Sequence, residues 1–247
     1  MGQLTNNYDY SIHYKIWHDE SDEHAELMIN NLKHELSRFL PSSVTGSILD
    51  IGCGMGFALM TLKKMGYTDL YGIDIDDEQI AACIRRGLAV EKVTDTIKYL
   101  SEHELSYNII IMLDVLEHIP VDKQILMLRA IHRALFLGGR LIVKVPNANA
   151  QLAARWRYID YTHQSSFTEH SLSFVLSNAG FKNIIIPADG NTLNRPSRRI
   201  WKANVRAQWR RYLIHWIWRQ AFVEELGEIV TSSIPFTLNM YAQADKI

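Results

Sequence analysis

Only two cysteines occur in 247 residues, Cys53 and Cys83, which is too few for a disulfide framework. One lies in a glycine-rich turn and one in a helical pattern, as expected of reduced thiols in a cytosolic compartment. Cys/His spacing of the zinc type is missing, and no metal is expected. Nowhere do about 18 apolar residues run together as a membrane-spanning helix requires. The opening MGQLTNNYDY lacks the charged-then-apolar layout of a secretion signal, and Asn6 stands where the myristoylation pattern wants Ser or Thr. The expected place is therefore the cytoplasm. Neither sign of charge dominates: 26 Lys and Arg face 27 Asp and Glu. An attraction for nucleic acid or anionic bilayers would have to come from local clustering. There is no internal repeat and no low-complexity segment. What is plentiful is apolar residue content, at 47%, and a chain of this length can bury the core of one large α/β domain.

The chain alternates between strand and helix signals. Residues 20–40 place Ala25, Met28, Ile29, Leu32 and Leu36 on one helical face, and Pro41 ends the segment. SILDI then reads as a strand, FALMTLKKM as a helix closed by Gly66, DLYGIDI as a strand, and DDEQIAACIRR as a helix with acids in its first turn. LAVEKV is a weaker strand. YNIIIMLDV is a continuous apolar run of the kind buried on both faces. KQILMLRAIHRAL predicts a helix ending at Gly138 and Gly139, followed by the strand RLIVKVP. Ser166 and Glu169 read as a capping box before HSLSFVLSNAGF, KNIIIPADG as another strand, residues 198–227 as a long helix, and IPFTLNMYAQADK as a closing strand. This alternation argues for a doubly wound parallel sheet, whose ligands sit beyond the carboxyl ends of the strands.

The most informative stretch is ILDIGCGMG. A dinucleotide fingerprint starting at Gly52 would need a glycine at position 57, which is Phe57; the glycines are instead Gly52, Gly54 and Gly56. Asp50, at the end of the first strand, is a poor neighbour for a pyrophosphate and a good one for a cationic ligand bearing an amino group. Asp74, in YGIDID at the end of the second strand, stands close to the spacing at which an acid reaches ribose hydroxyls. Either feature alone also serves backbone geometry and turn initiation. In order, on consecutive strands, they favour a nucleoside site.

These motifs resemble those of the class I S-adenosylmethionine-dependent methyltransferases. ILDIGCGMG matches that family's first motif, YGIDID its second, VTDTIKYL its third, and IIIMLDVLEHIP the motif after strand 4 of its small-molecule branch, across roughly residues 45–185. The resemblance implies a mostly parallel seven-stranded, Rossmann-like sheet with an N-terminal helix and a helical insertion before the last strand. One domain is expected, with a cap region at 1–44, a cofactor-binding core at 45–190, the insertion at 195–227 and the closing strand at 234–247. It further implies S-adenosyl-L-methionine as cofactor and S-adenosyl-L-homocysteine as product. Asp50 and the backbone of Gly52 and Gly54 would hold the methionine end, with Gly56 in the same cofactor-binding turn, Asp74 the ribose, Ile75 the adenine face and Asp95 the adenine amine. Leu113 and Asp114 would line the cofactor after strand 4. Tyr8, Tyr14 and Trp17, in the ring-rich segment YDYSIHYKIWH, are candidates to fold over the sulfonium, where aromatic faces contribute roughly 0.5–2 kcal/mol.

With the electrophile on the cofactor, the protein must position a nucleophile and, for a hydroxyl, remove its proton. LDVLEHIP lacks the Pro-Pro-aromatic and Pro-Cys signatures of base methylation, which disfavours a nucleic-acid substrate. His118 is a candidate base or an organiser of its turn. His163, in YIDYTHQSSFTEH, pairs in sequence with Asp160 as a general base with its orienting acid, or stands as a loop histidine bonded to backbone. Asp114, Glu117 and Asp160 could converge on a metal, yet their spacing gives no positive signal for one. The stretch after strand 5 resembles that of bacterial methyltransferases acting on lipopolysaccharide and other surface glycans, so the expected reaction is O-methylation of a sugar, glycan or related small-molecule hydroxyl. The alternatives are a quinone or lipid acceptor, a non-catalytic nucleoside-binding scaffold, and a nicotinamide oxidoreductase, which would bind NADH instead of S-adenosylhomocysteine.

Between Arg195 and Gln220 the chain carries eight Lys or Arg, no acid, and four of its six tryptophans. Trp201, Val205, Trp209, Leu213 and Ile217 form an i,i+4 stripe beside Arg198, Lys202, Arg206 and Arg210. This suits packing on its own domain or a second subunit in a homodimer, a lid over an anionic substrate, or peripheral contact with an anionic membrane.

Overall fold

The structure is a computed structural model, and it describes residues 20–41, 45–190 and 203–247. Seven strands, β1 (Ile48–Ile51), β2 (Leu70–Asp74), β3 (Val90–Lys92), β4 (Tyr107–Leu113), β5 (Leu135–Pro146), β6 (Lys182–Ile185) and β7 (Asn239–Asp245), form one sheet in the order β3-β2-β1-β4-β5-β7-β6. The four pairings among β1 to β5 are parallel, and β7 runs antiparallel to both β5 and β6. Helices α1 (Asp22–Leu36), α2 (Phe57–Lys64), α3 (Asp77–Arg85), α4 (Thr96–Glu102), α5 (Val121–Ala134), α6 (Ala153–Tyr158), α7 (Glu169–Ala179), α8 (Ala203–Leu226) and α9 (Glu228–Thr231) connect or cover the strands.

Side-chain alternation explains how the sheet is covered. Leu49 and Ile51 of β1, with Ile110 and Met112 of β4, face a layer built from α4, α5 and α7. Ile48, with Ile109 and Ile111, faces α1, α2 and Phe39. Leu49, Ile110, Ile111 and Met112 have no exposed surface, and burying such a side chain contributes about 1.5–3 kcal/mol. Asp50 shares the face of Ile48, in register with Gly72 and Ile111. The sheet order reverses between β1 and β4, so the carboxyl ends of β1, β2 and β4 lie side by side around one crevice.

Three local expectations are corrected. Strand β5 begins at Leu135, directly after α5, and runs through Gly138 and Gly139, because Leu135 already pairs with Tyr107. The cap of α7 is Thr168, which exchanges bonds with Ser171; Glu169 instead accepts from Asn149 Nδ2 at 2.7 Å. On α8 the i,i+4 stripe does not stay on one face. Val205 is buried, but Leu213 and Ile217 are 52% and 55% exposed. At 3.6 residues per turn an i,i+4 step overshoots by about 40°, so the stripe winds around the helix. The inward side runs instead through Val205, Trp209, Tyr212, His215, Trp218 and Phe222, with Phe236 edge-on to His215 and Phe222. Trp201, Arg198 and Lys202 lie outside the described residues. Among the described residues, no helix is long and apolar enough to cross a membrane.

Candidate functional site

The turn after β1 is built from glycines with positive φ: +70° at Gly52, +53° at Gly54 and +80° at Gly56. A Cβ at Gly52 would sit 2.4 Å from Val115 Cγ2, and one at Gly56 2.3 Å from Leu88 Cδ1. Glycine is therefore required both for backbone conformation and for close approach. Val115 belongs to the segment after β4, so the two turns are packed against each other. Gly52 N and Cys53 N donate to Ile73 O at 2.8 and 3.1 Å, Cys83 Sγ donates to Gly54 O at 3.1 Å, and Gly54 N donates to Asp74 Oδ2 at 2.8 Å.

Asp50 is 3% exposed. Burial, then the negative charge of Asp74, push its carboxyl up to about 7. Such a group is stabilised by a cation placed beside it. Burial also raises Asp74, against the opposing pull of the Asp76 and Gly54 N–H groups that its carboxylate accepts. Ile75 is 65% exposed at the mouth of the crevice, while Leu113 is half-buried. Asp95 is the exposed N-cap of α4, its Oδ1 accepting from Lys98 N at 3.0 Å. Asp114 adopts φ +56° and its Oδ2 meets Lys144 Nζ at 2.7 Å. Burial alone would lower the Lys144 ammonium, but Asp114 outweighs it and the group is raised. Tyr8, Tyr14 and Trp17 lie outside the described residues.

Beyond Asp114 the chain makes a 3-10 turn, Leu116–His118, and meets the segment after β5. Gln164 N and Ser165 N both donate to Glu117 O, at 2.6 and 3.3 Å. The two segments are thereby locked together, and the rings of His118 and His163 stand edge-on with centroids 4.7 Å apart. The expected pairing of Asp160 with the His163 imidazole takes another form. Asp160 is 4% exposed, and its Oδ1 accepts from both the N–H and the hydroxyl of Thr162 at 2.7 Å. With its proton given to Asp160, the Thr162 hydroxyl accepts from His118 Nδ1 at 2.7 Å. The acid therefore orients His118, through Thr162. His163 receives only a backbone bond from Asp160, N–H to carbonyl at 3.3 Å, and gives its own Nδ1–H to Trp156 O at 3.2 Å. In both rings Nδ1 is a donor, which fixes the tautomer as Nδ1–H. Glu117 is 1% exposed, its Oε2 has no hydrogen-bond partner among the described residues, and burial together with Asp114 holds its carboxyl well above the usual range. One Glu117 oxygen and one nitrogen from each of His118 and His163 lie within 4.8 Å of one another.

Sequence reasoning did not include Thr162 or Lys144 in the site. Thr162 is legible only through its place between Asp160 and His163. Lys144 stands in the apolar stretch LIVKVP of β5, and a charged residue there is a signal in itself.

A nucleoside-type crevice at the β1/β4 switch point of a 3-2-1-4-5-7-6 sheet, edged by acids on β1 and β2, defines the class I methyltransferase fold. The sequence profile of the family described as "Methyltransferase domain" matches residues 23–185. The chain belongs to that family, whose cofactor is S-adenosylmethionine. The ubiquinone biosynthesis O-methyltransferase of Hydrogenovibrio crunogenus is 30% identical over 139 residues, 54% of this chain and 56% of that protein. Its counterpart from Pseudomonas aeruginosa is 28% identical over 107 residues, 41% of this chain and 45% of that one. The matched segment thus spans about half the length of these curated relatives. Among solved structures, a SAM-dependent methyltransferase from Archaeoglobus fulgidus superposes with a TM-score of 0.67 at 20% identity, covering 96% of this chain and all of that one. Phosphoethanolamine N-methyltransferase 2 of Haemonchus contortus, solved with S-adenosyl-L-methionine, gives 0.57 at 16% identity over 88% of this chain and 52% of that one. These likenesses show the fold.

Proposed function

We propose that the protein methylates a hydroxyl group of a small molecule. The cofactor supplies the electrophile, a methyl group on a sulfonium, so the work of this chain is to bind, to orient and to receive a proton. Asp50 takes the cationic methionine end, the Gly52–Gly56 turn lets the backbone approach it, and Asp74 serves the ribose, with Ile75 and Asp95 on the adenine side. The buried Asp50 carboxylate at the end of β1, whose negative form burial and Asp74 disfavour until a cation stands beside it, supports this arrangement. The observation that carries the acceptor reading is the meeting of Glu117, His118 and His163 immediately beyond the turn that lines the cofactor crevice. Two imidazoles and a carboxylate at one place suit activation of a hydroxyl, which must lose its proton, better than of a neutral amine, which attacks through its own lone pair.

Two acceptor classes remain, each with an observation behind it. A phenolic ring hydroxyl is favoured by the relatives named for ubiquinone biosynthesis. The outer face of α8 adds support: Leu213, Ile214, Trp216 and Ile217 are exposed beside Arg210 and Arg211, a surface suited to an anionic bilayer that carries a lipid-borne acceptor. A sugar hydroxyl on an anionic carrier is favoured by the same run of basic residues acting as a lid. Trp218 Nε1 donates to Asn149 O at 2.9 Å, which ties α8 to the segment after β5. Incubation with methyl-labelled cofactor and separate pools of hydroxylated quinone precursors, nucleotide sugars and lipid-linked glycans tests the reading. Label in the phenolic pool is expected; label in a glycan pool selects the second class, and label only in amines contradicts O-methylation.

A further inference from the structure

We infer that Glu117, His118 and His163 bind a divalent cation of the zinc class, leaving coordination positions open for the oxygen of the acceptor hydroxyl. The inference rests on the hydroxyl-methylation reading and deepens it, since removing a proton needs only one base, while here two imidazoles and a carboxylate meet at one place.

Four observations carry it. The three ligand atoms already lie within 4.8 Å of one another. In a four-coordinate zinc site with bonds of about 2.0–2.2 Å, ligands stand roughly 3.3–3.5 Å apart, so small side-chain rotations close the set. Two histidines and one carboxylate form a donor set that catalytic zinc sites use when a position is kept for water or substrate. Both rings carry the outer bond that metal-binding histidines typically make through their second nitrogen: His118 Nδ1 to Thr162, itself held by Asp160, and His163 Nδ1 to the Trp156 carbonyl. Finally, Glu117 Oε2 is a buried oxygen with no partner among the described residues, on a residue 1% exposed. Buried polar atoms are otherwise bonded, and a cation would satisfy this one. Sequence spacing conceals the set because the ligands come from two segments, after β4 and after β5, joined by the Gln164 and Ser165 bonds to Glu117 O.

A dication here would act as a Lewis acid, lowering the pKa of a bound hydroxyl so that its oxygen is the nucleophile at neutral pH. With the imidazole lone pairs held by the cation, the released proton would leave to solvent rather than to a histidine, and the new O–CH3 bond forms as the S–CH3 bond breaks.

The test uses the full chain freed of metal by a chelator and dialysed. Co2+ is titrated with visible absorption as the readout and Zn2+ with calorimetry. One ion per chain is expected, with affinity at least tenfold weaker in Glu117→Gln and in His163→Ala. S-adenosylhomocysteine binding is measured in the same samples as the control for folding, and it should persist without metal. If the homocysteine compound binds but neither ion is taken up saturably, or both variants bind as the parent does, the metal site is wrong. If the ions bind as expected and S-adenosylhomocysteine does not, the metal site stands and the methyltransferase reading falls.

Discussion

Asp74, at the end of β2, holds the glycine turn that follows β1: its Oδ2 accepts the N–H of Gly54 at 2.8 Å while its Oδ1 accepts that of Asp76 at 2.9 Å. One carboxylate thus fixes both the turn and the start of the next loop, at the crevice edge where a ribose would rest. Replacing it with alanine strands two N–H groups and removes the ribose acceptor. Asp74→Ala is expected to lower stability by about 1–3 kcal/mol and to weaken S-adenosylhomocysteine binding at least tenfold. Denaturant midpoints and calorimetry check the two parts separately.

Asp50 makes the unliganded protein pH-sensitive. Its folded carboxyl is pushed up to about 7, above an unfolded value of about 3.9. The folded chain therefore holds the proton more tightly. Its contribution is fully present below about pH 4 and is lost as pH rises towards 7, at a cost of order 4 kcal/mol. Asp50→Asn should remove this part of the decline in unfolding midpoint between pH 5 and 8. Binding of the cationic cofactor has the opposite trend, strengthening as pH rises through 7 with release of a proton. Calorimetric enthalpies in two buffers of different ionisation heat should reveal that proton, and their agreement would count against the assignment.

Gly52 is constrained twice, by φ +70° and by Val115 Cγ2 at 2.4 Å from where a Cβ would fall. Gly52→Ala is expected to cost about 2–3 kcal/mol and most of the cofactor affinity. The double variant Gly52→Ala, Val115→Ala relieves the clash and leaves the backbone strain, so thermal melts should show partial recovery.

The route from Asp160 to His118 passes through the Thr162 hydroxyl. Thr162→Val breaks it at nearly constant volume, and kcat for methyl transfer should fall at least tenfold with a displaced pH profile. Thr162→Ser restores the hydroxyl and should recover most of the rate. Equal rates in the two variants would leave Thr162 a purely structural residue.

Strands and helices of the core were legible because buried parallel strands read as apolar runs and each βα turn is marked by glycine or an acid. β4, with Ile109 to Met112 nearly inaccessible, is the clearest instance. The short helix α6 was missed, since six residues of AARWRY carry too little periodicity to register. The wrong cap for α7 arose because Ser166 and Glu169 have capping-box spacing, yet only the tertiary bond from Asn149 decides what Glu169 does. Asp50, Asp74 and the glycines could be singled out from sequence since each chemistry sits in one turn. The partnership of His118 with Thr162 and Asp160 could not, because it depends on how two loops far apart in the chain fold against each other.

The central claim is that the acids closing β1 and β2 frame a site for a sulfonium nucleoside. Titrating S-adenosylhomocysteine and, separately, NADH into the full chain by calorimetry tests it most directly. The account predicts one equivalent of S-adenosylhomocysteine bound, lost in Asp50→Ala, and no heat from NADH; heat from NADH with none from S-adenosylhomocysteine would contradict it.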